Sequence, residues 1–269
     1  MTNAYAYNRK TPEEDAAIFA AVRRHHEAVE REGFLVVMTS LVGSQNYDLD
    51  TPISDIDTFS LVFPNIMDVA AGNPPYAGKI ELKDGHANIK DIRVALGLLK
   101  KTSPNSVEYF TSKYKVYHPE FAYICCSYLQ DNTKLWDMIH CNYSHMLYAM
   151  AGMAHQLTRR NMPAGKRFSH ALRLDDMYYH FFNSPNANAI LDLRPGGDRD
   201  LALAAKRDTS PENEETYNEQ CIQIANRLDY CKDIFVKTEA MELTEQRGIA
   251  LIDSFQWKLF KQYLMETNV

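Results

Sequence analysis

A strand that ends in a Gly-Ser turn, followed ten residues later by two aspartates one residue apart, is the feature that most restricts this chain. Phe34 to Val42 is rich in Val, Leu and Met and reads as a strand. It runs into Gly43-Ser44, and Asp55-Ile56-Asp57 opens a second apolar strand over 56–63. Side chains at i and i+2 on a strand point to the same face, so Asp55 and Asp57 are aimed together at one point. Two carboxylates held that close repel unless a cation sits between them or one takes up a proton. Mg²⁺, which prefers one or two carboxylates plus substrate phosphates, suits such a pair. The turn supplies the complement. Its glycine lets backbone approach a ligand closely, and exposed N–H groups beside a hydroxyl can hold phosphate oxygens.

The rest of the chain sorts into two patterns. Thr11-Pro12-Glu13-Glu14 is a capping box with Pro at the first helical position, and it predicts a helix to about Arg31 that Gly33 ends. Pro64 to Gly85 holds three prolines and three glycines and reads as a long irregular excursion, a candidate lid. His86 to Lys90 reads as a third short strand. Asp91 then caps a helix through Lys101, and Ser103-Pro104 caps another through Phe110. From Pro119 onward the expected helices are 119–130, 134–160, 164–183, 198–207, 211–236 and 242–265, with breaks at Asn132, Pro163-Ala164-Gly165, Ser184-Pro185-Asn186 and Pro195-Gly196-Gly197. The expectation is an α+β chain: an N-terminal unit over 1–118 with a small mixed sheet, then an all-helical unit over 119–269, with a cleft between them.

Charge and cysteine usage exclude some classes. A net charge of −6 argues against broad, sequence-blind binding of nucleic acid. The charge is uneven, however: residues 151–207 carry nine basic and five acidic side chains, a positive island in an acidic chain. Such an island suits a polyphosphate or a short RNA end. No apolar run approaches the roughly eighteen residues of a membrane span, and the polar, aromatic stretch Met1 to Lys10 does not resemble a signal peptide. Five cysteines show no metal-binding spacing, and the adjacent Cys125 and Cys126 read as reduced core residues of a cytoplasmic protein.

Val42-Gly43-Ser44 and Asp55-Ile56-Asp57, with a strand on either side, resemble the signature of the nucleotidyltransferase superfamily, the fold shared with DNA polymerase β. Thr58 departs from the pattern, which usually has an apolar residue there. Lys90-Asp91-Ile92-Arg93, Ser103 to Glu108 and Gly165 to Leu174 are similar to a bacterial and phage branch of the superfamily. Its members carry a helical C-terminal half, and some are assigned to a predicted RNA-repair pathway. A weaker match falls at Ala204 to Arg207. The resemblance spans about residues 34 to 207.

It implies a Mg²⁺- or Mn²⁺-dependent enzyme that moves a nucleoside monophosphate from an NTP, such as ATP, to an acceptor hydroxyl and releases pyrophosphate. The acceptor would be an RNA 3′ end, a tRNA, a protein or a small molecule. Gly43 and Ser44 would hold the triphosphate, and Asp55 and Asp57 the metal. Lys166, His170 and Arg173, spaced i, i+4, i+7 on one helix face, would grip phosphate. Solvation of a basic face is the plainer explanation of the same stripe. Lys206 and Arg207 are weaker candidates, since basic residues at a helix end also complement its dipole.

The family's third acid is expected on the strand before Lys90-Asp91. There the inward face carries His86 and Asn88, neither of them an acid, and Asp91 is off that parity and fits an N-cap. Either His86 serves as base, or Asp84 reaches in, or one well-held metal suffices. Two rivals follow: a catalytically degenerate nucleotide-binding regulatory module, and a toxin-like transferase acting on tRNA or protein. Glu108 is a candidate to help shape the cleft, with an exposed helix acid as the default reading. His25, His26, His140, His145 and His155 read as surface or packing residues.

Overall fold

The Thr11 capping box sets the first helix on its course. Thr11 Oγ1 accepts from the Glu14 N–H at 3.2 Å and the Glu14 carboxylate accepts from the Thr11 N–H at 2.7 Å. Helix α1 (Pro12–Arg31) follows, and Gly33, at φ +89°, turns the chain back. The computed structural model describes residues 10–184, 186–193 and 197–266. Most of the stretch Met1 to Lys10, and Pro185, Pro195 and Gly196 of two expected breaks, lie outside them.

Strands β1 (Leu35–Val42) and β2 (Ile56–Phe63) form the middle of the sheet, joined through a short 3-10 helix, Ser44–Tyr47. Then come α2 (Ile66–Ala70), β3 (Ala77–Leu82), β4 (Gly85–Asp91), α3 (Ile92–Lys101), α4 (Pro104–Thr111) and β5 (Lys115–Tyr117). The five-stranded sheet runs β3-β4-β2-β1-β5, with β2 and β4 parallel and the other neighbours antiparallel. The rest is helical: α5 (Pro119–Leu129), α6 (Asn132–Ile139), α7 (Tyr143–Arg159), α8 (Ala164–Asn183), α9 (Gly197–Arg207), α10 (Glu214–Ile234) and α11 (Glu239–Glu266).

Both faces of β1 and β2 are covered, which is why these strands read as apolar runs rather than alternations. One face meets α1 through a buried polar ladder. His25 shares a hydrogen bond with Thr58 at 2.9 Å, His26 one with Thr39 at 3.1 Å, and Thr39 one with Ser60 at 2.9 Å. The other face sends Phe59, Leu61 and Phe63 into the main core. That core continues through Leu96, Phe110, Phe121, Met146, Leu174 and Phe255 of the helices. The expected boundary near residue 118 falls between β5 and α5.

The α+β class stands, and the excursion over 64–85 is corrected. It contains α2 and the edge strand β3, which pairs with β4 from Ala77↔Lys90 to Leu82↔Gly85. The prolines that suggested irregularity, Pro64, Pro74 and Pro75, all lie outside β3, where they remove no ladder hydrogen bond. The helix expected over 134–160 is two helices. Asn142 breaks it by capping α7, with Oδ1 accepting from the His145 N–H at 2.9 Å. The three-residue β5 was not expected, and the first turn of the helix expected from 211 is 3-10, Pro211–Asn213. All five cysteines are free thiols. Among the described residues no helix is long and apolar enough to cross a membrane.

Gly165 is where α8 and α9 lie closest. A Cβ there would stand 1.9 Å from the Ala205 carbonyl oxygen, a backbone atom that cannot swing aside. Gly165→Ala is expected to destabilise the protein by about 1–3 kcal/mol, the range for overpacking. Chemical denaturation of the two proteins measures it, and equal stability would mean that the helices part without cost.

Candidate active site

The turn after β1 is built by conformation and by closeness. Gly43 has φ +77°, a backbone state that side chains resist. A Cβ at this position would also come within 3.4 Å of Asp57 Oδ2. The cause is register: Val42 pairs with Asp57 across β1 and β2, so the turn leaves the strand against that carboxylate. The Gly43 N–H does not face solvent. It donates to Glu108 Oε1 at 2.5 Å, from α4.

Asp57 is half-buried and Asp55 exposed, one residue before β2 begins. His86 pairs in register with Asp57 on the parallel strand β4, and its Nδ1 stands 2.8 Å from Asp57 Oδ1. That oxygen is buried and makes no hydrogen bond of good geometry. Burial pushes the Asp57 carboxyl above its ordinary range, His86 pulls it back, and Asp55 adds to the rise. Among the described residues no three His, Cys, Asp or Glu side chains are grouped so as to hold a metal ion. With Asp57 Oδ1 against His86, Asp57 Oδ2 and the exposed Asp55 carboxylate would fit Mg²⁺ only in its phosphate-completed form, in which substrate and water supply the other ligands.

The strand before Asp91 has the parity read from sequence. His86, Asn88 and Lys90 alternate with buried Ala87, Ile89 and Asp91. Asn88 lines the same pocket as Gly43 and Ser44. Asp91 faces the other way: it accepts from the Arg93 N–H at 2.8 Å and grips the Arg93 guanidinium, with Nη2 at 2.6 Å. Asp84 is held by Arg24 at 2.8 Å and shares a hydrogen bond with His25 at 3.0 Å, on the α1 side of the sheet. The other expected packing histidines are likewise bonded within the fold: His145 meets the Thr102 carbonyl at 2.8 Å, and His155 pairs with Asp229.

The helical half supplies the opposite wall. On α8, Phe168, Ala171 and Leu174 are buried in the core, and His170 and Arg173 project into a cavity of about 240 Å³ that they share with Gly43, Ser44 and Asn88. Lys206 of α9 joins them, its Nζ donating to the Leu49 carbonyl at 2.5 Å. Lys166 is exposed and does not line the cavity, although its charge reaches His170 and Lys206. It sits a full turn back from His170, where α8 is only beginning. Burial, then Arg173, Lys206, Lys166 and Arg160, push His170 down to about 3, so its imidazole is neutral at pH 7. The Arg173 guanidinium lies 4.3 Å from the Tyr47 ring centre, and its Nη1 is buried without a hydrogen-bond partner.

Glu108 corrects the sequence reading: it is 5% exposed and lines the cavity. Burial raises its carboxyl pKa, opposed by Arg173 and by the Gly43 N–H. Tyr47, Asn105, Tyr109 and Ser169 complete the walls and were not picked out from sequence. Tyr109 stacks flat on Phe59 at 4.1 Å, which holds its ring at the cavity edge. The only signal for Glu108 was its place among Val107, Phe110 and Thr111, all buried, in a helix too short to keep one side clear of the core. A larger cavity, about 620 Å³, opens beyond the 3-10 helix and is lined by Asn46, Lys115 and Asp192, but by none of the residues expected from sequence. Compared with models of protein families and with curated proteins, the sequence matches none.

The depressed His170 has a measurable consequence. Its folded-state pKa lies below the ordinary 6.5, so between about 3 and 6.5 the unfolded chain binds the extra proton. Stability then falls as pH drops through that window, by at most about 1.4 kcal/mol per unit from this group. Thermal melts at pH 7.5 and 5.5 are expected to show a smaller loss for His170→Gln than for wild type. Parallel losses would mean that His170 already carries its proton in the fold.

Proposed function

We propose that this chain is a cytoplasmic Mg²⁺- or Mn²⁺-dependent nucleotidyltransferase, with the catalytic fold of DNA polymerase β in its N-terminal unit. The observation that carries the reading is the meeting of the Gly43-Ser44 turn with His170 and Arg173 in one cavity beside Asp57. At about 240 Å³ the cavity is smaller than the roughly 300–1,000 Å³ of sites that enclose a drug-sized ligand. It suits a polyphosphate tail, with the nucleoside and acceptor outside.

Gly43, Ser44 and Arg173 would hold phosphate oxygens, and neutral His170 would donate one hydrogen bond or gain a proton beside the anion. Asp55 and Asp57 would hold the divalent ion, which when bound would supply charge neutralisation and alignment of the attacking oxygen. His86 would take the proton of the acceptor hydroxyl as its oxygen attacks the α-phosphorus and the bond to pyrophosphate breaks. Asp57, 2.8 Å away, would orient the ring. The acceptor is an RNA 3′ end or tRNA, a protein, or a small molecule.

A second reading, a nucleotide-binding module without catalysis, draws support from the two-carboxylate site and from Asp84 and Asp91 being engaged elsewhere. Incubation with each α-labelled NTP, Mg²⁺ or Mn²⁺, and total cellular RNA and protein separates the two. Transfer of label that Asp55→Asn abolishes, by a loss of several kcal/mol of transition-state stabilisation, supports the enzyme. Tight NTP binding with no labelled product supports the module. In either case Arg173→Ala is expected to weaken NTP binding by roughly 1.5–3 kcal/mol, a loss that shrinks as salt rises. Titration at two ionic strengths checks it, and equal affinities would remove Arg173 from the site.

A further inference from the structure

We propose that Glu108 is a specificity-determining competitor for the ligand's phosphate: in the free protein its carboxylate occupies the Gly43 N–H, and a polyphosphate binds only by displacing it. The inference rests on the reading above, that the Gly43-Ser44 turn and Arg173 hold phosphate.

Three observations support it. First, Gly43 and Glu108 both line the cavity, and Glu108 Oε1 already accepts from the Gly43 N–H at 2.5 Å. A carboxylate oxygen and a phosphate oxygen are alternative acceptors for one N–H, and they cannot both lie on it. Second, the Glu108 carboxylate is met by neutral donors, the Gly43 N–H, Tyr47 and Asn46, and is not locked into an ion pair. Arg173 is close enough to favour the Glu108 charge, yet no hydrogen bond joins them, and Arg173 Nη1 stays buried and unpartnered. A structural pair would satisfy that nitrogen, because an unmade bond on a buried charged group is costly. Arg173 lies over Tyr47 instead, with a donor left for an oxygen not yet present. Third, the carboxylate is buried and its charge is disfavoured there, so it is poised to withdraw or to be neutralised when a stronger anion arrives.

Specificity follows from charge. A ligand must offer enough negative charge to Arg173 and Lys206 to overcome both the lost Glu108 contact and repulsion from its carboxylate. Pyrophosphate and triphosphate meet that condition better than a monophosphate, so Glu108 discriminates by phosphate number.

The test is calorimetric titration of inorganic triphosphate and inorganic phosphate into the full chain and its variants at one pH, with thermal melting as the check on folding. Glu108→Gln keeps an oxygen for the Gly43 N–H and removes the charge. Glu108→Ala removes both and stands in if the first variant does not fold. The expected result is that either variant binds triphosphate about tenfold or more tightly than wild type, and that the ratio of triphosphate to phosphate affinity narrows. Unchanged or weaker triphosphate binding by a folded variant, with wild-type binding that Arg173→Ala destroys, would overturn the role of Glu108 and leave the phosphate site standing. Failure of wild type and both variants to bind triphosphate would remove the phosphate site and this inference together.

Discussion

The antiparallel register of β1 against β2 is the constraint on which the site depends. Because Val42 faces Asp57, the turn that follows β1 begins beside a carboxylate, and its φ of +77° favours glycine at position 43. A slip of one residue would turn Asp57 toward α1 and put Thr58 in its place. The buried ladder on the α1 side resists that slip. Thr58 meets His25, and Ser60 reaches His26 through Thr39, contacts an apolar side chain on that parity would leave unmade. The same ladder accounts for the polar Thr58 at a position expected to be apolar: its hydroxyl has a histidine to meet.

The helical wall depends on a second close approach. Gly165 lets α9 lie against the start of α8, which brings Lys206 beside His170 and Arg173 in one cavity. Lys206 is fixed further by its bond to the Leu49 carbonyl, and Arg199 of the same helix donates to the Asp48 carbonyl at 2.7 Å. Two cations of α9 thus clasp the loop that leaves the Gly-Ser turn. The loop and the cationic wall are positioned by each other, although they lie more than a hundred residues apart in the chain.

What was legible in the sequence was local. The strands around Gly43-Ser44, the caps Thr11, Asp91 and Ser103, and the span of α8 each rest on contacts within a few residues, and each appears where expected. Strand parity on β4 was legible for the same reason, and it separated His86 and Asn88 from Asp91. Tertiary placement was not legible. Lys166 shares a helical stripe with His170, yet it stands exposed at the helix start and outside the cavity. Glu108 looked like a surface acid because helix periodicity tells only of the helix's own faces, and α4 is wrapped on several sides. The edge strand β3 was hidden because its partner alone makes it a strand: its residues alternate between exposed and half-buried, without an apolar signal.

The ionisable groups of the site share a direction. Burial pushes the carboxyls of Asp57 and Glu108 up, and pushes His170 and Lys206 down. Acids and bases alike are moved toward their neutral forms, although they stand near one another. In a finished ion-pair network the opposite holds, since each charge favours its neighbour and acids shift down while bases shift up. The arrangement here mixes signs: Asp57 has His86 at 2.8 Å as well as Asp55 nearby, Glu108 has Arg173 nearby, and Lys166, Lys206 and Arg173 surround His170. A polyphosphate against the helical wall would favour the charged forms of His170 and Lys206. A divalent cation on the strand would do the same for Asp57. A ligand that carries both would act on the strand and on the helical wall at once.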